Sequence, residues 1–151
     1  MIKIITVGTI KEKYLKDAIA EYQKRLQKYT NLEIIELKDE GLVEKEKAIH
    51  LEGEKIKKHL TEKDYIITME IEGEQLNSIE FSKKLEKIQL ESSNIVFIIG
   101  GSYGLSPEIK AKSRLHLSVS KMTFPHQLFR VILLEQIYRA YKIMNNESYH
   151  K

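Results

Sequence analysis

Residues 95–99 form an uninterrupted apolar run, Ile-Val-Phe-Ile-Ile, between Asn94 and Gly100. The run is short for a buried helix, and its β-branched residues favour a strand. Successive side chains of a strand point to opposite faces of a sheet, so both faces of this strand must be covered. A strand that is apolar on both faces is typical of a parallel sheet with helices on either side. The run therefore predicts an α/β fold.

Strand and helix patterns alternate along the rest of the chain. Four further strands are predicted at residues 2–7, 32–37, 65–71 and 115–119. Gly73 is expected to end the strand that begins at residue 65. Helices are predicted over residues 12–29, 44–60, 78–90 and 125–144, and a short helix is predicted to begin at residue 106. Ser78 is expected to cap the helix over 78–90. Gly53 lies inside the second helix, which indicates a close backbone approach there. The alternation predicts a mostly parallel sheet flanked by helices, and 151 residues without a linker predict a single domain over residues 1–151.

The composition excludes several classes of protein. The chain has no cysteine, so disulfides, thiolate metal sites and a cysteine nucleophile are excluded. Its five histidines lack the spacing of a metal site, and no metal is expected. Glu70, Glu72 and Glu74 alternate on one strand, which fits a cation site or simply an exposed strand end. No apolar run approaches the ~20 residues of a membrane span, and we expect a cytoplasmic protein without a membrane role.

Charge is distributed unevenly along the chain. Residues 101–151 carry eight Lys and Arg against three Asp and Glu, whereas the preceding residues are slightly acidic. A basic C-terminal third indicates a polyanionic partner such as nucleic acid, although an excess of this size also arises by chance.

A glycine-rich segment, Gly100-Gly101-Ser102-Tyr103-Gly104, follows the buried strand. Ligands of parallel sheets bind outside the carboxyl ends of the strands, so the loops after residues 71, 99 and 119 are the candidates. Glycines allow a ligand or another loop to approach the main chain closely. The segment has no basic residue, which favours a neutral group such as adenosine over a phosphate. A tight turn without a ligand is the alternative.

Residues 118–127 link the last strand to the last helix and carry several polar side chains. Ser120 and Thr123 are interpreted either as ligand contacts or as turn formers. His126 stands at the start of the last helix, where it fits a base, an RNA contact or a packing residue. The tail, residues 148–151, is either a disordered end or a nucleotide-binding segment, since it contains a tyrosine, a histidine and a lysine.

The last helix is apolar on nearly all sides, which one sheet face cannot bury. We therefore expect a homodimer with this helix in the interface, and an outward position for Ile137. Glu135 and Arg139 are spaced to pair on the helix surface. Arg130 stands alone among apolar residues, so it must pair with something or reach a site.

Several of these segments together carry a resemblance to a known family. They are residues 97–105, 117–127, 138–143 and 149–151, with the opening residues 5–8, Lys11 and residues 21–26. This combination closely resembles the ribosomal RNA large subunit methyltransferase H family, which are small SPOUT-class, α/β-knot enzymes. The resemblance spans the whole chain.

The resemblance implies a C-terminal trefoil knot, an obligate dimer and S-adenosylmethionine as cofactor. It implies methylation of N3 of a pseudouridine in large-subunit ribosomal RNA, on the assembled ribosome. The positions at which the family holds the cofactor correspond here to Met69, Gly100, Val119, Ser120, Lys121, Met122, Thr123 and Phe124.

The resemblance also suggests residues for the chemistry. His126 or His150 is expected to act as base or hydrogen-bond partner of the target, with Arg130 stabilising the anion and Tyr149 stacking on the nucleotide. Two other functions stay open: an RNA-binding module of the same fold without turnover, and a related knotted methyltransferase that acts on tRNA.

Overall fold

A computed structural model describes the whole chain, residues 1–151. Five strands and five helices alternate along it. The strands are β1 (Ile2–Val7), β2 (Leu32–Leu37), β3 (Tyr65–Gln75), β4 (Ile95–Ile99) and β5 (Leu115–Ser118). The helices are α1 (Lys13–Leu26), α2 (Lys45–Lys57), α3 (Ser78–Glu91), α4 (Pro107–Lys112) and α5 (His126–Met144). None of the five helices is long and apolar enough to cross a bilayer.

The strands form one sheet in the order β2-β1-β4-β3-β5, and all four pairs are parallel. This confirms the predicted α/β fold with a parallel sheet flanked by helices. The C-terminal knot that the resemblance implies stays a prediction.

The apolar run of β4 is buried on both faces, as its sequence requires. Ile95, Phe97 and Ile99 join the larger core, which also holds buried residues of α1, α3 and α5. Val96 and Ile98 join a smaller core on the opposite face, with Ile56 of α2 and residues next to or within α4. Alternate residues of β4 therefore face opposite helix layers: one set faces α1, α3 and α5, and the other faces α2 and α4.

Helices α1 and α2 end three residues earlier than predicted, and two other predicted boundaries are wrong for reasons that the packing shows. β3 does not end at Gly73 but continues to Gln75, and a Cβ on Gly73 would lie 2.7 Å from the carbonyl oxygen of His116 on β5. Glycine therefore lets β3 pass close to the backbone of β5, where the register between the two strands shifts, and it does not end β3. The cap of α3 is Asn77, not Ser78: Asn77 and Glu80 form a reciprocal capping box.

The expected close approach at Gly53 is confirmed. A Cβ at this position would lie 2.7 Å from the Ser106 hydroxyl oxygen. That hydroxyl caps α4 by accepting a hydrogen bond from the Ile109 N–H at 3.2 Å. The glycine thus lets α2 pack directly on the beginning of α4.

The apolar surface of α5 is covered within one chain more fully than the sequence suggested. Seven of its residues are buried, because α5 packs against both α1 and α3 over the sheet. Ile137 is 0% exposed, so the expectation that it points outward is wrong. Leu128, near the start of the helix, is 41% exposed. The homodimer stays a prediction.

Arg130 pairs inside the protein, where its side chain is 2% exposed. Its Nη1 donates to the Glu36 carboxylate on β2. Its Nη2 donates to the Thr6 hydroxyl at 3.0 Å and to the Gly8 carbonyl at 3.2 Å, on and just after β1. One guanidinium therefore joins α5 to two strands.

We predict that Arg130→Met lowers the free energy of unfolding by at least about 2 kcal/mol. The substitution removes charge-assisted hydrogen bonds and leaves the Thr6 hydroxyl and Gly8 carbonyl without this donor. Urea unfolding followed by circular dichroism measures the change. The matched control is Arg25→Met, whose exposed ion pair with Glu21 should contribute much less. Equal losses in both variants would contradict the role of Arg130.

Candidate functional site

A cavity of about 380 Å³ lies at the carboxyl ends of β4 and β5, beside residues 69–72 of β3. Its walls are residues 69–72 after the buried part of β3, residues 99–105 after β4 and residues 117–120 and 122–124 after β5. Lys110, His126 and Phe129 complete the lining. The segments after β4 and β5 are two of the three that the strand-end rule indicated, whereas residues 69–72 lie within β3. The volume suits a small ligand.

The glycine-rich segment forms a tight turn on one wall. The Gly104 N–H donates to the Gly101 carbonyl at 3.0 Å, and Gly104 has a φ of +87°, which favours glycine. A Cβ on Gly100 would lie 2.8 Å from the carbonyl carbon of Gly104, so this glycine is required by the turn itself. The N–H groups of Ser102 and Tyr103 have no acceptor within the chain. They are free to bind a ligand.

The opposite wall is the loop after β5. The Ser120 hydroxyl accepts a hydrogen bond from the Met122 N–H at 3.0 Å, and the Ser118 hydroxyl donates to the Ser120 carbonyl at 3.1 Å. The Ser120 side chain is therefore a turn former and also lines the cavity. Met122 is 75% exposed, which leaves this rim open.

Most of the predicted cofactor residues line this one cavity, but the predicted catalytic residues are scattered. The predicted residues in the lining are Met69, Gly100, Val119, Ser120, Met122, Thr123, Phe124 and His126. Lys121 belongs to the same loop but is not in the lining, and neither are Arg130, Tyr149 and His150.

The C-terminal tail is packed on α5 and is not a loose end. The Tyr149 ring meets Tyr138 edge-on, with 5.0 Å between centroids, and the Arg139 guanidinium lies 4.8 Å from the Tyr149 centroid. His150 Nδ1 is 3.0 Å from Arg139 Nη1. Arg139 and His126 are separated on α5 by about 20 Å at 1.5 Å per residue. The tail thus lies far along the helix from the cavity of its own chain.

Glu70 is a site residue whose role the sequence analysis missed. Its side chain is 14% exposed and lines the cavity. Its Oε2 accepts the Thr68 hydroxyl at 2.6 Å and pairs with His116 Nδ1, while Oε1 lies 3.7 Å from Lys110 Nζ. Glu70 is therefore neither an exposed strand end nor part of a cation site, and no three acidic or histidine side chains are placed to hold a metal.

The charge state of Glu70 follows from these neighbours. Burial raises the pKa of the Glu70 carboxyl, but hydrogen bonds from Thr68 and His116 and the charges of His116 and Lys110 outweigh that effect. The net pKa lies below its ordinary value. The cavity wall thus holds an ionised carboxylate at neutral pH.

Glu147 anchors the tail, and its ionisation provides a pH test. It accepts hydrogen bonds from Tyr29 at 2.7 Å and from Lys142 and Lys28 at 3.2 Å, which lower its pKa from 4.5 to about 2. A lowered pKa in the folded chain stabilises the protein above pH ~4.5, and the effect disappears as the pH falls towards 2.

We therefore predict that Glu147→Gln lowers the melting temperature by a constant amount from pH 7 to 5, and by less as the pH falls below 4.5. Melting curves at each pH, followed by circular dichroism, test this. Glu62→Gln is the control, because Glu62 is exposed and forms no ion pair. A difference that stays constant down to pH 2 would refute the anchoring role of the Glu147 charge.

Comparison with known proteins agrees with this fold. The model of the family described as "Predicted SPOUT methyltransferase" matches residues 1–150. The chain is 53% identical over 159 residues to ribosomal RNA large subunit methyltransferase H of Bifidobacterium adolescentis, covering 99% of each chain. It is 52% identical over 157 residues to the protein of the same name from Clostridium acetobutylicum, again covering 99% of each.

A solved structure supports the fold alone. It is described as a probable methylase family protein from Haemophilus influenzae Rd KW20, and it is 15% identical with a TM-score of 0.57. The similarity covers 99% of this chain and 70% of that one. The family model and the two full-length relatives show that this chain belongs to the SPOUT methyltransferases, in the ribosomal RNA large subunit methyltransferase H family.

Proposed function

We propose that this methyltransferase uses S-adenosylmethionine to methylate N3 of a pseudouridine in large-subunit ribosomal RNA, on the assembled ribosome in the cytoplasm. The observation that carries the proposal is the cavity at the strand ends. It collects seven of the eight residues at which the resemblance puts the cofactor. The names of the full-length relatives support ribosomal RNA as the substrate.

The residues of the cavity fit this cofactor. S-adenosylmethionine contains an adenine, a ribose and a cationic sulfonium, and it has no phosphate. Apolar side chains such as Leu105 and Leu117 suit the adenine, and the free N–H groups of Ser102 and Tyr103 suit its ring nitrogens. Glu70 and Glu72 make the wall acidic, with Lys110 as its one permanently cationic residue. An acidic wall suits a cationic ligand better than a phosphorylated one.

The chemistry requires positioning and one proton transfer. S-adenosylmethionine held by the walls at Gly100 and Ser120 would supply an activated methyl group for N3 and would leave as a neutral thioether. The N3 proton must leave to a base. His126 is the histidine that lines the cavity of the same chain, and we assign it this contact. Arg130 instead holds α5 in place, because its guanidinium is occupied by Glu36, Thr6 and Gly8.

A second copy of the chain would complete the site. Tyr149 and His150 are packed far from their own cavity, so we propose that they serve the cavity of a partner in a homodimer. Exposed apolar side chains around the cavity and the start of α5 are a suitable surface for that partner: Ile71, Tyr103, Met122 and Leu128. Light scattering should show a dimer at micromolar concentration.

Ribosome methylation tests the function directly. Ribosomes from cells that lack the gene should gain one methyl group on large-subunit RNA when incubated with the protein and S-adenosylmethionine, as seen by mass spectrometry of nuclease fragments. Purified tRNA and protein-free RNA are parallel substrates. Methylated tRNA would favour the tRNA enzyme, and cofactor or RNA binding without methylation would favour the non-catalytic module.

The same assay tests the tail. Deleting residues 149–151 should reduce methylation by about 100-fold, the loss typical of a positioned acid–base group. Binding of S-adenosylmethionine, measured by calorimetry, should fall much less, because the cavity walls remain. Near-normal methylation by the truncated protein would contradict a role for the tail.

We predict that Gly100→Ala weakens S-adenosylmethionine binding at least tenfold. The added Cβ would push Gly104 away and distort the turn that forms one wall of the cavity. Gly41→Ala is the matched control, because its Cβ would meet only the Asp39 side chain, at 3.3 Å, outside the cavity. Calorimetry measures both affinities. Unchanged binding by the Gly100 variant would show that the turn does not contribute to cofactor binding.

A further inference from the structure

We propose that Glu70 is the ribose-binding residue of this cavity, with Oε1 accepting a hydrogen bond from a hydroxyl of the cofactor's ribose. The inference rests on S-adenosylmethionine as the proposed cofactor. It assigns a specific contact to a residue that the sequence pattern offered only as part of a cation site or an exposed strand end, and that the relatives' names do not mention.

The two carboxylate oxygens of Glu70 have different surroundings. Oε2 is occupied by the Thr68 hydroxyl and His116 Nδ1. Oε1 accepts no hydrogen bond within the chain, and its nearest cation is Lys110 Nζ at 3.7 Å. Lys110 and Glu70 both line the cavity. Oε1 is therefore the carboxylate oxygen that is free to accept a hydrogen bond from a ligand in the cavity.

The network behind Glu70 holds this carboxylate in one place. Thr68 is 0% exposed, and its hydroxyl oxygen lies 2.7 Å from the Ser113 hydroxyl oxygen. Because the Thr68 hydroxyl donates its one proton to Glu70, Ser113 is the donor in this contact, and the Ser113 hydroxyl oxygen also accepts the Thr68 backbone N–H at 3.3 Å. Three segments, β3, the loop before β5 and β5 itself, therefore fix the side chain. A fixed acceptor loses little entropy when it binds a hydroxyl.

The charges around Glu70 favour a neutral donor. Lys110 lies beside Oε1, and His116 pairs with Oε2. An ammonium group bound at Oε1 would face the Lys110 ammonium at short range, which like-charge repulsion disfavours. A hydroxyl carries no charge and donates one hydrogen bond. The neutral donors of the cofactor are the adenine amino group and the ribose hydroxyls. Because the adenine is assigned to the glycine turn, the ribose hydroxyls are the donors left for Glu70.

Glu72 is the natural comparison. It lies two residues further along β3 and also lines the cavity, but it is exposed and makes no hydrogen bond or ion pair. Water satisfies an exposed carboxylate, so a ligand hydroxyl gains little there. Comparing Glu70→Ala with Glu72→Ala therefore distinguishes the loss of a positioned hydrogen-bond acceptor from the loss of an exposed negative charge.

The test is a binding cycle between protein variants and ribose analogues. Calorimetry measures the affinity of S-adenosylhomocysteine and of its 2′-deoxy and 3′-deoxy analogues for the wild type, Glu70→Ala, Glu70→Gln and Glu72→Ala. The wild type and Glu72→Ala should bind the parent compound at least tenfold tighter than one of the two analogues, as for a hydrogen bond to a charged acceptor. That ratio should fall to about one in Glu70→Ala and take an intermediate value in Glu70→Gln.

The outcomes are distinct. Equal affinity of the wild type for all three ligands, or a ratio that persists in Glu70→Ala, overturns the ribose contact but leaves the cofactor site in place. No binding of S-adenosylhomocysteine to the wild type overturns both the contact and the proposed function. If Glu70→Ala does not fold, the Glu70→Gln ratio decides, since a wild-type ratio in that isosteric variant would refute a charge-assisted contact.

Discussion

The Arg130 guanidinium is the interaction on which the arrangement of this protein depends. It is the one charged group buried in the main core that joins α5 to the sheet, and its acceptors lie on or beside two neighbouring strands. Burying a cation is favourable only when its hydrogen bonds are well made, so the pairing specifies one position for the helix. His126 and Phe129 then stand at the cavity because their helix cannot rotate or slide.

The glycine turn and the Glu70 network provide different chemical groups to the cavity that α5 also lines. The glycine turn brings backbone donors to one wall, and it can do so because Gly100 has no side chain to push Gly104 away. The Glu70 network brings an acceptor to another wall. Donors on one side and an acceptor on the other suit a ligand with an aromatic base and a sugar. The tail residues lie outside this arrangement, which is why a second chain is proposed for the rest of the chemistry.

The sequence predicts the layers of this fold well and its tertiary contacts poorly. The apolar run of β4 has to be buried on both faces, so helices on both sides of a parallel sheet follow from it. The strand order does not follow, because nothing local in β4 selects β1 and β3 as its neighbours. The Glu70 network depends on Thr68 lying beside His116 in the β3–β5 register, and no single-chain pattern encodes that register. Ile137 was misassigned for the same reason: a helix that is apolar all round does not say which side a neighbouring helix covers.

The strand order also has a consequence for synthesis. β4, in the sheet between β1 and β3, binds β1 along its whole length, and the amino group of Met1 donates to the Ser93 carbonyl, 92 residues away. A chain made at about 5–20 residues per second keeps its first strand without this partner for roughly 5–20 s. During that interval one edge of β1 offers free N–H and C=O groups, with Ile2, Ile4 and Ile5 beside them. Until residues 95–99 emerge, the nascent chain therefore has an unpaired strand edge on which another strand can pair.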